Sequence, residues 1–208
     1  DDATTVKVVF DENLDSLSAT NPANYSISNG AGQPISVELL ADKRSALLSL
    51  AAPLATGAYT LQTSGVKDVL GNESAIQTAD FQFVKIDAAV EFDILINEIM
   101  ADPTPSAGLP EVEWLELFNR SSKTIDLADL RVQDATGAPV QLPAFNFLPG
   151  TYLVLTATVN VANLQAATTG TVIGVPIGAT ALNNDSDVLI LSNQAGQVVD
   201  RVAYSADW

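Results

Sequence analysis

Two glutamates, Glu98 and Glu116, are the residues of this sequence whose types and setting could do chemistry. Side chains alternate along a strand, which predicts Glu98 on one face with Ile96 and Met100, and Glu116 on one face with Trp114. If the two strands pair, the carboxylates lie near each other, as general acid–base catalysis or cation binding requires. The alternative is that both are solvated charges on an outward face, while the leucines that flank Glu116 point inward.

An oxygen-rich loop at residues 184–187 (NDSD) supplies a second pair of candidate ligands, Asp185 and Asp187. The loop lacks the ligand spacing and the distal glutamate of an EF-hand. It fits either calcium, which accepts oxygen ligands in flexible geometry, or an Asx-type turn that starts a strand. The candidate metal ligands are therefore Asp185, Asp187, Glu98 and Glu116. We expect no bound cofactor, and calcium is the one alternative.

Two further sets of polar and aromatic residues allow a functional and a structural interpretation. Trp114, Phe118 and Tyr152 could form an aromatic platform for a glycan, but packing in the core or at a sheet edge explains them equally well. We expect Asn97 and Asn119 to face inward, where a buried amide must be hydrogen-bonded. The structural interpretation makes both asparagines brackets between the backbones of neighbouring strands.

The composition excludes several classes of function. The 208 residues include no His and no Cys, which excludes the usual zinc sites, cysteine nucleophiles and triads with a histidine base. We therefore expect no enzyme. The formal net charge of -16 disfavours phosphate backbones and anionic membranes as partners. No stretch of about 18 apolar residues is present, so we expect neither a nucleic-acid partner nor direct membrane insertion.

Short runs rich in β-branched and aromatic residues alternate with turn residues such as Asn29-Gly30 and Pro149-Gly150. This spacing is typical of a sandwich or barrel and predicts an all-β fold. Residues 159–167 fit either a short helix or an irregular loop, with Leu164 as the one apolar anchor. Residues 86–92 lack Gly and Pro, and we interpret them as a brief junction between two domains.

The junction predicts domains at residues 1–87 and 88–208. Alternation within the second domain predicts its buried face. The predicted core residues are Leu115, Leu117, Leu130, Val132, Leu153, Leu155, Leu189 and Leu191.

The second half of the chain resembles a lamin-tail domain of the bacterial exported type. The resemblance covers residues 94–208 and is carried by an ordered set of short motifs, none specific alone. These are residues 96–99 (INEI), 101–103 (ADP), 113–119 (EWLELFN), 125–127 (IDL), 148–150 (LPG) and 184–187 (NDSD), with Gly196, Asp200 and residues 202–204. It implies an immunoglobulin-like β-sandwich that continues beyond Trp208.

The first half resembles bacterial Ig-like modules of surface-layer and adhesin-type proteins. The resemblance covers residues 4–86. It is carried by residues 8–12 (VVFDE), Asn21-Pro22 with Tyr25, residues 57–61 (GAYTL) and residues 66–72 (VKDVLGN). It implies that this domain lacks its first strand. Together the two resemblances imply two immunoglobulin-like β-sandwich domains in tandem.

These resemblances imply a non-catalytic structural or interaction module of a larger exported protein, extracellular or at a bacterial cell surface. The expected partners are neighbouring domains of the same polypeptide or other surface proteins. The alternative function is a module for calcium-dependent adhesion or carbohydrate binding. Because the chain begins at Asp1 without a Met, we expect a mature fragment.

Overall fold

The computed structural model describes residues 3–105, 108–134, 137–176 and 182–205. The chain divides into two compact units, residues 1–85 and 86–208. Both units consist mainly of short strands, which confirms the prediction of an all-β fold. Neither of the two α-helices, nor any other helix in the described ranges, is long and apolar enough to cross a membrane.

The first unit is built from two antiparallel three-stranded sheets, ordered β1-β4-β3 and β2-β5-β6. Side chains of both sheets meet in one apolar core that includes Tyr25, Leu48 and Leu61. A single helical turn, α1 (Ser16–Ala19), begins where the Asp15 carboxylate accepts a hydrogen bond from the Ser18 amide. The strands are β1 (Thr5–Val9), β2 (Tyr25–Ile27), β3 (Ser36–Leu39), β4 (Ser45–Ser49), β5 (Gly57–Thr63) and β6 (Gln77–Phe83).

The second unit packs a sheet ordered β14-β13-β8-β7 against a sheet ordered β11-β10-β15-β16, with a two-stranded pair β12-β9 beside them. All pairs are antiparallel except the parallel pair of β13 and β14. Its strands are β7 (Ile94–Met100), β8 (Trp114–Asn119), β9 (Ile125–Asp126), β10 (Leu130–Gln133), β11 (Val140–Gln141), β12 (Asn146–Phe147), β13 (Tyr152–Ala157), β14 (Thr171–Val175), β15 (Ser186–Asn193) and β16 (Val198–Ser205).

The core of the second unit confirms the face predicted from alternation. All eight predicted residues are buried; they are Leu115, Leu117, Leu130, Val132, Leu153, Leu155, Leu189 and Leu191. The ambiguous stretch before β14 forms a helix, α2 (Val161–Ala167), with Leu164 buried against the strands. Of the two interpretations, the structure therefore shows the helix.

Residues 86–92, which the sequence predicts as a junction, lie at the start of the second unit. The Asp87 amide donates to the Thr124 carbonyl at 2.9 Å, and the Phe92 amide donates to the Val199 carbonyl at 2.7 Å. Between them the side chain of Ala89 is buried in the core. These contacts hold the segment against the second unit.

Candidate functional site

Glu98 and Glu116 face each other directly across strands β7 and β8. A bulge at Asn97 separates the pair from the preceding pair, Ile96 with Leu117. The extra residue reverses the alternation along β7, so Glu98 points outward although Ile96 is buried. The two strands pair, as the chemical interpretation of these glutamates requires. The prediction that Glu98 shares a face with Ile96 is wrong, because a bulge leaves no clear sequence pattern.

The side chain of Asn97 provides the polar contact of this carboxylate pair. Its amide Nδ2 donates to Glu116 Oε1 at 2.8 Å. Asn97 and Glu98 are exposed and Glu116 is half-buried, while Leu115 lies on the buried face. The prediction that Asn97 faces inward is therefore wrong, and the reason is again the bulge.

Asn119 provides the backbone bracket that the sequence predicts. The residue is fully buried, and its Nδ2 donates to the carbonyls of Lys123 and Phe147 at 2.9 and 2.8 Å. Its Oδ1 accepts hydrogen bonds from the amide and the hydroxyl of Ser121. Asn119 therefore joins the end of β8 to strand β12 and to the loop before β9.

The three aromatic residues do not form one platform. Phe118 and Tyr152 pair across β8 and β13, with ring centroids 4.5 Å apart and planes 22° apart, so each ring faces the other. Trp114 is only 9% exposed. Tyr152, in contrast, is 51% exposed, so its ring is the most accessible of the three to a ligand.

A pocket of about 490 Å³ lies along strand β7, which has β8 as its one neighbour in the sheet. Asn97 and Glu98 lie on its wall with the apolar side chains of Met100, Leu109 and Trp114. The indole Nε1 of Trp114 is buried and has no hydrogen-bond partner within the described residues. A buried indole N–H without an acceptor lowers the stability of the folded protein, because the donor has lost its hydrogen bond to water.

Asp200 is a buried polar residue whose role the sequence analysis missed. Its Oδ2 accepts a hydrogen bond at 2.7 Å from the Ile96 amide, on the edge of β7 just before the bulge. Its Oδ1 accepts from the Arg201 amide at 2.9 Å. The signal available in the sequence was alternation along β16, which places Asp200 on one face with Val202 and the buried Tyr204.

Asp185 and Asp187 lie in different environments. Asp185 is exposed, whereas Asp187 is buried and accepts hydrogen bonds from Asn183 Nδ2 at 2.9 Å and from the Val188 amide at 2.7 Å. Beside them the Tyr204 hydroxyl donates to the Asn183 carbonyl at 2.7 Å. Burial is the main reason why the pKa of Tyr204 is raised to about 12, and the negative charges of Asp187 and Glu113 raise it further.

This arrangement favours the turn over the calcium site at residues 184–187. In the described ranges, no cluster of three or more acidic side chains is placed to hold a metal ion. Calcium takes about six to eight oxygen ligands. The four candidate ligands also lie in two separate pairs, on the paired strands β7 and β8 and at the start of β15. The expectation of no bound cofactor therefore stays a prediction, with calcium at these residues as its alternative.

The first unit contains a cleft of about 540 Å³ between the end of β1 and the start of β6. Thr63 and Ser74 lie on its wall, and their hydroxyls are buried without a hydrogen-bond partner among the described residues. Both strands are the outer strands of their sheets. The inward side chains of Val8 and Phe81 are consequently only partly covered.

Two family models match the chain in series. The model described as Lamin Tail Domain matches residues 88–206, and the model described as Bacterial Ig-like domain matches residues 1–84. These matches confirm both resemblances in the predicted order. With the packed sheets described above, they also confirm the fold class of two immunoglobulin-like β-sandwich domains in tandem.

Solved structures of an S-layer protein resemble the chain with low TM-scores and low sequence identity. The N-terminal part of the bacterial S-layer protein SbsC matches with a TM-score of 0.40 and 19% identity, over 99% of this chain and 42% of that one. The surface layer protein SbsC, domains 1-6, matches with a TM-score of 0.36 and 15% identity, over 98% and 39%. The chain thus spans about two fifths of these S-layer chains, and likeness at this level carries no functional argument. No curated protein matches the sequence.

Proposed function

The chain belongs to the Lamin Tail Domain family, and from that premise we propose that it is a non-catalytic module of a larger exported protein at a bacterial cell surface. In this role it spaces neighbouring domains of the same polypeptide or docks other surface proteins. The Bacterial Ig-like match of the first unit supports the bacterial assignment. Protease treatment of intact cells that produce the full-length protein tests the location. We expect digestion without cell lysis, and protection would contradict it.

The observation that carries the non-catalytic role is the position of Glu98 and Glu116. They lie on an outward sheet face, and only Glu98 borders the pocket beside β7, so no pocket encloses the two carboxylates together. Glycosidases instead place two carboxylates on either side of an enclosed scissile bond. With no His or Cys in the chain, neither a cysteine nucleophile nor a histidine base is available.

A panel of chromogenic glycosides and esters tests this role. We expect no turnover above the buffer rate for the wild-type protein or for Glu116→Gln. Turnover by the wild type that Glu116→Gln abolishes would refute the non-catalytic assignment.

Carbohydrate binding is the second candidate, and the exposed ring of Tyr152 favours it. An aromatic face packs well against the apolar face of a sugar ring. Glycan-array binding by the wild type, lost in Tyr152→Ala and retained in a matched exposed variant such as Leu148→Ala, would support this candidate.

A further inference from the structure

The outward side of β7, β8 and β13 forms a surface that combines charge with aromatic rings. We call it the acidic–aromatic face and define it by Asn97, Glu98, Glu116, Phe118 and Tyr152. We propose that this face docks a basic segment of a polypeptide, with a Lys or Arg side chain placed between the two glutamates. The inference rests on the proposed docking role of the module and names the chemistry of its partner.

Charge complementarity selects a cationic occupant. Glu98 and Glu116 are direct neighbours across the strands, and like charges in this position destabilise a sheet. Their one polar contact is the neutral Asn97 amide, and neither carboxylate has an ion-pair partner in the described part of the chain. No Lys or Arg occurs in β7, β8 or β13. A bound cation would therefore replace repulsion by attraction.

The stacked pair of Phe118 and Tyr152 also favours a cationic side chain, at a position farther along β8. Phe118 follows Glu116 on the same side of the strand, about 7 Å farther along. Its stacked partner Tyr152 is half exposed. A Lys or Arg head group is attracted to aromatic rings, and its aliphatic stem covers apolar surface. Charge and apolar contact are thus available within the reach of one long basic side chain.

The pocket beside β7 favours a polypeptide over a free ammonium ion. Glu98 lies on its wall, and Met100, Leu109 and Trp114 provide apolar surface for the neighbouring residues of a chain. A calcium ion is a poorer fit, because two carboxylates and one amide fall short of the ligands that calcium takes.

The experiment measures binding of a fluorescein-labelled decapeptide of alternating Arg and Ser by fluorescence anisotropy at low ionic strength. The full chain is compared with the double variant Glu98→Gln/Glu116→Gln. The matched control is Glu12→Gln/Glu38→Gln, which removes two exposed charges from the first unit and leaves the same net charge. We expect about tenfold weaker binding for the double variant, as two partly exposed ion pairs would contribute. The control should stay within about twofold of wild type.

Two results would overturn the inference. One is absence of binding at low salt, and the other is equal weakening in the control, which would show general attraction to an acidic chain. The double variant should melt no lower than wild type, because it removes a repulsive pair, so misfolding is detected separately. If the peptide does not bind and the panel of chromogenic glycosides and esters shows no turnover, the docking inference is refuted while the proposed non-catalytic function stands. Turnover abolished by Glu116→Gln would instead remove the proposed function.

Discussion

Leu117→Ala tests whether the buried face of β8 carries the stability of the second unit. Leu117 is fully buried and pairs with Ile96 on one side and with Leu153 on the other. Because hydrogen-bonded strands hold it on both sides, the cavity can relax little. Buried Leu-to-Ala changes cost about 2–5 kcal/mol, and poor relaxation places this one at about 3–5 kcal/mol. This is a large part of the free energy of unfolding of a typical domain.

Urea unfolding monitored by tryptophan fluorescence measures this loss in the second unit alone. Both tryptophans, Trp114 and Trp208, belong to that unit. With a slope of about 1–3 kcal/mol per molar urea, a loss of about 3–5 kcal/mol should lower the midpoint by about 1–5 M. The control Leu148→Ala changes a side chain that is 50% exposed and should cost less than about 1 kcal/mol. A loss below about 1 kcal/mol for Leu117→Ala would mean that the buried face is assigned wrongly.

Three further predictions concern single groups. Thr63→Val should leave the free energy of unfolding of the first unit unchanged or raise it by up to about 1 kcal/mol, since the buried hydroxyl lacks a partner; circular dichroism during urea unfolding would contradict this by showing a clear loss. Hydrogen bonds from the Ser45 hydroxyl and from neighbouring amides lower the pKa of Asp42 to about 2, so its contribution to stability is complete above pH about 4 and is lost as pH falls towards 2. Acid titration of Asp42→Asn should show a smaller loss over that window, and an unchanged profile would refute the assignment. Sub-millimolar calcium should not raise the melting temperature beyond sodium at matched ionic strength; a rise that Asp185→Asn/Asp187→Asn removes would establish a calcium site.

The strands and the core of the second unit could be predicted because their signals are local. Alternation places Leu115 and Leu117 on one face whatever the partner strands are, and both are buried. The Asn119 bracket could also be inferred, since a buried amide has to find hydrogen-bond partners. Predicting the surroundings of Glu98 from alternation failed, because one bulged residue reverses the faces of all that follow it.

The sequence by itself determined the all-β class and the absence of His and Cys chemistry, because composition, alternation and turn residues act over a few positions. It also determined the tandem order of the two families, through ordered motifs that resemble each family. Only the tertiary structure decided that Glu98 faces Glu116, that Asn97 contacts the pair and that Phe118 stacks on Tyr152. These relations depend on the register between strands. At the edge of β7, Asp200 binds the Ile96 amide from 104 residues along the chain, a contact that no local pattern encodes.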